Sequence, residues 1–454
     1  MKLEGQRVVI VGLGTSGLAA ADVALKRGAE VVLSDSRDEK SFAGKLDPYV
    51  QRGAELALGG HEGADLARAN IVVLSPGVPP FALLDEAAAK GVLVIGEVEF
   101  ALRLSEDASP AAPLFAIGGT NGKSTVTTLV GEILAEESRT AKKKPVFVGG
   151  NLGEPLAAHV EESFDAIVLE VSSFQLERAP TFHPRATALL NVTDDHLDRY
   201  VSFDAYADAK GNAFVNQTPY DIAVIPFGDP ICARQAARGK GRVVTFGEAG
   251  ADIVVTKDAI VDRERGESYA RANILLQGAH NAANVAAAIG LVRNWVSAET
   301  ITKVLASFRG LPHRTELVAE IAGVRYYDDS KGTNVGATVT ALLGLSEPRA
   351  VLIAGGRDKG GSYGPIAEAL KNKGRSVVLI GEAADAMQAA FEGIVPIDRA
   401  ISMREAVEKA KARAIPGDAV LLSPACSSFD MFRDYKHRGE EFVHSVMEHV
   451  PNGG

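Results

Sequence analysis

Short apolar runs that lack polar alternation recur along this chain, separated by Ala- and Leu-rich segments of helical period. Residues 7–11 (R-V-V-I-V), 30–34 (E-V-V-L-S), 71–74 (I-V-V-L), 92–95 (V-L-V-I) and 114–117 (L-F-A-I) read as strands. So do 165–169, 186–190, 324–328, 350–354, 376–380 and 418–422. A strand that is apolar at nearly every position needs cover on both faces, which points to a parallel sheet sandwiched by helices. Helical readings at 16–28, 122–136, 203–215 and 279–292 supply the crossovers. The expected fold class is α/β.

Two breaks divide this pattern. Residues 105–113 (S-E-D-A-S-P-A-A-P) form a polar, Pro-containing stretch, and 309–314 (R-G-L-P-H-R) end a helical pattern with Gly and Pro. They predict three consecutive domains, 1–107, 108–311 and 312–454, in keeping with a length of 454 residues. A formal charge of −10 argues against nucleic acid as a partner. Gly5, Gln6 and Arg7 interrupt the first apolar run, so no signal peptide is expected, and no stretch reaches the ~20 apolar residues of a membrane span. Cys232 and Cys426 are too few for a disulfide framework and lack metal-ligand spacing.

Two glycine-rich loops follow strands and open helices. Gly12-Leu13-Gly14-Thr15-Ser16-Gly17 fits a nucleotide-binding turn, and Asp35 closes the second strand where a ribose-binding carboxylate is expected. The first domain is short for a dinucleotide. The second loop, Gly118-Gly119-Thr120-Asn121-Gly122-Lys123-Ser124-Thr125, ends in the G-K-S-T of ATP-binding P-loops, although Ile117 occupies the place of the usual first glycine. Backbone N–H groups would cradle phosphates, Lys123 would add a cation, and Ser124 could reach a metal ion. Glu170 ends a strand and suits Mg²⁺. Asn151, on a Gly-rich loop, offers another oxygen ligand. His196 lies in N-V-T-D-D-H-L-D and reads as a metal or phosphate residue beside the P-loop, or as a surface residue. Asn281 and Asn284 could hydrogen-bond a nucleotide, or equally cap a helix. Lys210, taken alone, reads as a solvated helix lysine.

The sequence resembles the Mur ligases, ATP-dependent amino-acid ligases of bacterial cell-wall synthesis. The motifs that carry the likeness are G-T-N-G-K-S-T (119–125), L-E-V-S-S-F-Q-L (169–176) and N-V-T-D-D-H-L-D-R-Y (191–200). They continue with G-A-H-N-A-A-N (278–284), G-L-P-H-R (310–314), D-D-S-K-G-T-N (328–334) and L-S-P-A-C-S-S-F-D (422–430). Asp329-Ser330-Lys331 resembles the glutamate-adding branch.

The resemblance implies a Rossmann-like N-terminal domain for the UDP substrate, a P-loop ATPase-like central domain and a Rossmann-like C-terminal domain for the amino acid. It implies an enzyme joining D-glutamate to UDP-N-acetylmuramoyl-L-alanine through an acyl phosphate and a tetrahedral intermediate, with ATP as co-substrate and two Mg²⁺. The alternative is another Mur-type or folate-type ligase with a different acceptor. By the resemblance, Lys123, His196 and Lys210 are catalytic. Ser124 and Glu170 hold one Mg²⁺, His196 holds the second, and Lys210 matches a carbamylated lysine that also serves metal. ATP falls to Gly119–Thr125, Asn281, Asn284, Arg314 and Asp329. Gly14, Thr15, Ser16, Asp35, Ser36, Arg37, Ser75, Gly77 and Asn151 are implied for the UDP substrate. Lys331, Thr333, Lys359, Ser428 and Tyr435 are implied for D-glutamate. A monomer of the bacterial cytoplasm, not inserted in a membrane, is the implied setting.

Overall fold

The computed structural model describes residues 1–106, 112–195, 199–276, 278–358 and 362–450. Its strands form three sheets. The first comprises β1 (Arg7–Val11), β2 (Glu30–Asp35), β3 (Glu55–Leu58), β4 (Ile71–Leu74) and β5 (Leu93–Gly96) in the order β3-β2-β1-β4-β5. All its pairings are parallel. Val8 and Ile10 enter one core while Val9 and Val11 enter the core on the opposite face, which is why this strand has no polar alternation.

The second sheet contains β6 (Leu114–Gly118), β7 (Val146–Gly150), β8 (Ala166–Glu170), β9 (Ala186–Leu189), β10 (Ile222–Pro226), β11 (Arg242–Gly247), β12 (Ile253–Val255), β13 (Ala259–Asp262) and β14 (Glu267–Ala270). Its order is β14-β13-β12-β11-β10-β9-β6-β8-β7. Pairing is parallel from β7 to β12, and an antiparallel extension, β12-β13-β14, closes one edge. That extension departs from the purely parallel expectation. Its strands are three or four residues long and half-exposed, and none holds an apolar run longer than the three residues of Ile253–Val255 or 259–261.

The first two sheets belong to one compact unit, residues 1–275 with 283–308. One core runs between them. Phe100, on the helix Glu97–Ser105, is fully buried in a cluster that joins Val8, Ile10 and Ile95 to Phe147, Ile167, Leu169 and Phe182. The same helix sends two buried acids across: Glu97 accepts from the Ala157 N–H at 3.2 Å and Glu99 accepts from the Thr181 N–H at 3.3 Å.

Residues 276–282 and 309 onward form the second compact unit. Its sheet holds β15 (Glu316–Ile321), β16 (Val324–Asp328), β17 (Ala350–Gly355), β18 (Gly374–Ile380), β19 (Ile397–Arg399) and β20 (Ala419–Leu422), ordered β15-β16-β20-β17-β18-β19. Only β15 runs antiparallel. Leu352, Leu379 and Leu421 fill the core on one face, and Val351, Ile353, Val378 and Val420 fill the other. No helix among the described residues is long and apolar enough to cross a membrane.

Truncating Phe100 removes a ring from the core shared by the first two sheets. Phe100→Ala should cost about 3–5 kcal/mol of stability in chemical denaturation; an unchanged unfolding midpoint would show that the two sheets do not depend on that core.

Candidate active site

In an open parallel sheet, ligands bind beyond the carboxyl ends of the strands where the strand order reverses. In the first sheet that place lies between β1 and β4. The loop Gly12–Gly17 leaves β1 there, and Ser75-Pro76-Gly77 leaves β4. The Ser75 hydroxyl ties the two together by donating to the Gly12 carbonyl at 2.6 Å. Gly12 has φ +87°, and a Cβ on it would come within 2.5 Å of Val78 Cγ2; one on Gly17 would overlap the Gly12 carbonyl. Gly14 faces open space, and as N-cap of the helix Thr15–Lys26 it brings no side chain to the first N–H groups, which stay available to an anion.

Gly14, Thr15, Ser16, Asp35, Ser36, Arg37, Ser75 and Gly77 line one cavity of about 510 Å³, together with Gly12, Leu13, His61, Pro76, Val78 and Pro79. Burial opposes ionisation of Asp35, but Arg37 and the N–H groups of Leu13 and Arg37 outweigh it and hold the carboxyl at about 2. Its Oδ2 accepts from the Leu13 N–H and Arg37 Nη2, both at 2.8 Å, and its Oδ1 from the Arg37 N–H and Nε at 3.0 and 2.9 Å. With four donors on one carboxylate, Asp35 shapes the glycine loop and aims Arg37. His61 was missed by sequence reasoning. It takes part in a 2.8 Å hydrogen bond with Ser34 Oγ and stacks on Phe81, neither of which is a neighbour in the chain.

The P-loop leaves β6, which lies between β8 and β9. Gly119 (φ +140°) and Gly122 (φ +85°) adopt conformations that favour glycine, and Asn284 Oδ1 lies 2.6 Å from where a Gly122 Cβ would sit. Gly118 is not required by sterics, since a Cβ there would meet nothing closer than 3.6 Å. The loop is held from β9's exit: Asn191 Oδ1 accepts the Thr120 and Asn121 N–H groups at 3.2 and 2.8 Å, and its Nδ2 donates to the Asn121 carbonyl at 3.0 Å. The Thr120 hydroxyl donates to the Thr193 carbonyl (3.2 Å), accepts the Thr193 N–H (3.1 Å) and lies 3.2 Å from the Tyr206 hydroxyl. Lys123 Nζ donates to the Thr120 carbonyl at 2.8 Å, and Ser124 and Thr125 are buried in the first helical turn.

Glu170, buried at the end of β8, accepts from Asn151 Nδ2 at 2.8 Å. Asn151 is thereby placed at the exit of β7, beside β8. Lys210 is buried, not solvated. Its Nζ donates to the Gly119 carbonyl at 2.8 Å and lies 4.6 Å from the centroid of the Tyr206 ring. Burial, then repulsion from Lys123, pushes its pKa down to about 7 against the pull of Asp195 and Glu170. The hydroxyl of Ser124 and the carboxylate of Glu170 are the hard oxygen donors that suit Mg²⁺. His196 lies outside the described residues.

The second unit gathers its own set at the exits of β16 and β20. Asp329 is buried; burial raises its carboxyl to about 7 despite a 2.6 Å bond from Ser423 Oγ and the charge of Arg314. Asp328 takes His313 Nδ1 at 2.7 Å and the Ser330 N–H at 2.9 Å. The Lys331 N–H donates to the His313 carbonyl at 3.1 Å, and Lys331 Nζ lies 5.2 Å from the centroid of the Tyr435 ring. Thr333 follows on the same loop, and buried Ser428 closes the loop after β20. Asn281 belongs to this unit and Asn284 to the first. Lys359 lies outside the described residues.

Three family models match the chain: the N-terminal domain of MurD-like Mur ligases over residues 6–96, the Mur ligase middle domain over 117–292 and the Mur ligase glutamate ligase domain over 313–426. A UDP-N-acetylmuramoylalanine–D-glutamate ligase of Geobacter metallireducens is 42% identical over 455 aligned residues, covering 98% of each chain. The chain belongs to the Mur ligase family. A ligase of the same name from Syntrophotalea carbinolica is 44% identical, with 99% of each chain covered. Solved Mur ligases share the fold: UDP-N-acetylmuramate-alanine ligase of Thermotoga maritima has a TM-score of 0.58 at 18% identity, covering 98% of this chain and 100% of that one. MurF of Acinetobacter baumannii reaches 0.62 at 18% identity, covering 98% and 91%. Each of the three family matches falls on one of the three sheets.

In this Mur ligase the buried Lys210 favours the neutral amine more than the unfolded chain does. Between about pH 7 and the ordinary 10.5, the unfolded state binds the extra proton, so stability rises with pH across that window. ¹⁵N lysine NMR should show one amine, assigned by its loss in Lys210→Met, titrating near 7; a Lys210 signal that keeps its proton above pH 9 would contradict the assignment.

Proposed function

We propose that the chain is an ATP-dependent ligase that adds D-glutamate to UDP-N-acetylmuramoyl-L-alanine in peptidoglycan precursor synthesis. The observation that carries this reading is full-length likeness, at 42–44% identity, to ligases of that name. The site chemistry supports it, because the P-loop, Lys123, Glu170 and Lys210 all meet at the exits of neighbouring parallel strands. The domains are taken as 1–107, 108–311 and 312–454, and the enzyme as a cytoplasmic monomer.

A carboxylate oxygen of the muramoyl-alanine attacks the γ-phosphorus of ATP; the bond to ADP breaks and an acyl phosphate forms. The D-glutamate amine then attacks the acyl carbon. The tetrahedral adduct expels phosphate, the amine loses its proton, and an amide remains. Phosphoryl transfer of this kind is mostly positioning and charge neutralisation. The loop Gly119–Thr125 receives the phosphates, with the N–H groups of Thr120 and Asn121 held by Asn191, and Lys123 moves from its own loop carbonyl onto the transferring oxygens. Two Mg²⁺, when bound, supply further charge neutralisation; Ser124 and Glu170 would hold one, His196 the other, and a carbamylated Lys210 would add oxygen donors. A neutral amine adds carbon dioxide and releases one proton, and the low pKa of Lys210 keeps that amine available at neutral pH.

The cavity of the first domain takes the UDP part: Gly14, Thr15 and Ser16 offer the helix N-terminus, Arg37 a cation, and Ser36, Ser75 and Gly77 the rim. Asp35 keeps Arg37 in place, and Asn151 reaches the substrate from beside Glu170. Asn281, Asn284, Arg314 and Asp329 are assigned to ATP. Lys331, Thr333, Lys359, Ser428 and Tyr435 are assigned to D-glutamate, whose two carboxylates call for cations and hydroxyls.

ADP should form only when UDP-N-acetylmuramoyl-L-alanine and D-glutamate are both present; turnover with L-amino acids but not D-glutamate would overturn the acceptor. Lys123→Ala should lower kcat by at least about 10²–10³-fold, the scale set by losing one transition-state donor; near-normal turnover would remove the P-loop from the chemistry. Lys210→Ala should regain part of its activity with added short carboxylic acids, and a variant indifferent to them would speak against a carbamate.

A further inference from the structure

Arg438 is fully buried on the helix Tyr435–Met447, yet its guanidinium meets no carboxylate at hydrogen-bond distance among the described residues. Its Nε donates to Ser330 Oγ at 3.0 Å, its Nη2 to the Ser330 carbonyl at 2.8 Å and its Nη1 to the Cys426 carbonyl at 3.1 Å. Ser330 Oγ in turn donates to the Tyr435 carbonyl at 2.8 Å, one helical turn before Arg438. Room for the guanidinium comes from Gly356, where a Cβ would lie 3.2 Å from Nη1 and would overlap the Ser427 carbonyl.

Ser330 precedes Lys331, and Cys426 lies two residues before Ser428. The two loops also touch directly, through the Ala425 N–H and the Gly332 carbonyl at 2.8 Å. We propose that Arg438 is a positioning residue for the amino-acid acceptor: by binding Ser330 and Cys426 at once, it sets the spacing among Lys331, Ser428 and Tyr435 without touching the acceptor itself. This rests on the assignment of those residues to D-glutamate.

A buried charge solvated mainly by carbonyls costs stability that an apolar side chain would not, so packing alone does not account for an arginine here. The planar fork of arginine reaches separate acceptors in fixed directions, and a lysine at the same place keeps the charge and loses the fork. Burial lowers the pKa only to about 10, so the guanidinium stays charged at neutral pH.

The test is steady-state kinetics of the full chain carrying Arg438→Lys or Ser330→Ala, with melting curves beside them. Arg438→Lys should raise the KM for D-glutamate by about 10- to 100-fold, the scale of a misplacement near 1 Å. The KM values for ATP and the UDP substrate should stay within about twofold. Ser330→Ala, which removes one partner of the guanidinium, should raise the same KM by less. An unchanged D-glutamate KM in a folded variant overturns the proposal. So does a parallel rise of all three KM values, or the failure of both variants to fold, since either result makes the arginine a support of the whole domain. If the wild-type enzyme ignores D-glutamate and uses another amino acid, the acceptor assignment falls, and the Arg438 comparison is read on that amino acid's KM.

Discussion

A loop that must wrap phosphates has to be held in shape from outside, and in the central domain Asn191 does this by engaging two of the loop's N–H groups. Its amide accepts from the N–H groups of Thr120 and Asn121 and donates back to the Asn121 carbonyl. Thr120 completes the brace through both backbone groups of Thr193. These bonds secure the front of the loop from the exit of β9. The start of the helix Lys123–Thr140 carries no side-chain cap. The Gly119 carbonyl, turned inward by the same arrangement, becomes the acceptor for Lys210. The placing of the buried lysine therefore depends on the bracing of the loop.

The glycine loops and the parallel strands were legible because both leave local marks. A strand covered on two faces has to be apolar throughout, and a backbone at φ +85° beside Asn284 favours glycine whatever lies further away. The edge strands β12 to β14 left no such mark, being short and half-exposed. Side chains whose partners are distant in the chain were equally silent. Lys210 looks like any helix lysine until its partner 91 residues away is known, and Arg438 reaches 108 residues back to Ser330. The motif around Asn191 was visible, but its job of bracing another loop was not, since an asparagine after a strand reads equally well as a cap. The place of Asp35 at the end of β2 was legible, but its partners were not: its oxygens accept from Leu13, 22 residues away, and from Arg37.

Buried charge is handled differently at each strand exit. Lys210 can release its proton, and burial moves its pKa to about 7. Asp329 can take one up, and burial moves it to about the same value from the opposite side. Arg438 can do neither, so carbonyls and a hydroxyl must solvate it in place. A group that can change charge suits a position whose charge must match an arriving ligand. A group that cannot suits a position whose geometry must stay constant while ligands come and go.

All three substrates assigned to this enzyme are anions, and the chain itself carries a net charge of −10. The long-range field of the chain therefore repels them, and solution salt screens it beyond about 8–10 Å. Affinity has to come from within a few ångströms of each ligand. The folded sheets supply it there: uncapped helix N-termini at Gly14 and Gly122, Arg37 held by Asp35, and Lys123 and Lys331 on loops whose backbones are fixed by other residues. Each of these lies at the carboxyl end of a parallel strand, where successive loops emerge side by side. Parallel topology thus does for anion binding what net charge cannot, because it concentrates N–H groups and a few cations at one edge of each sheet.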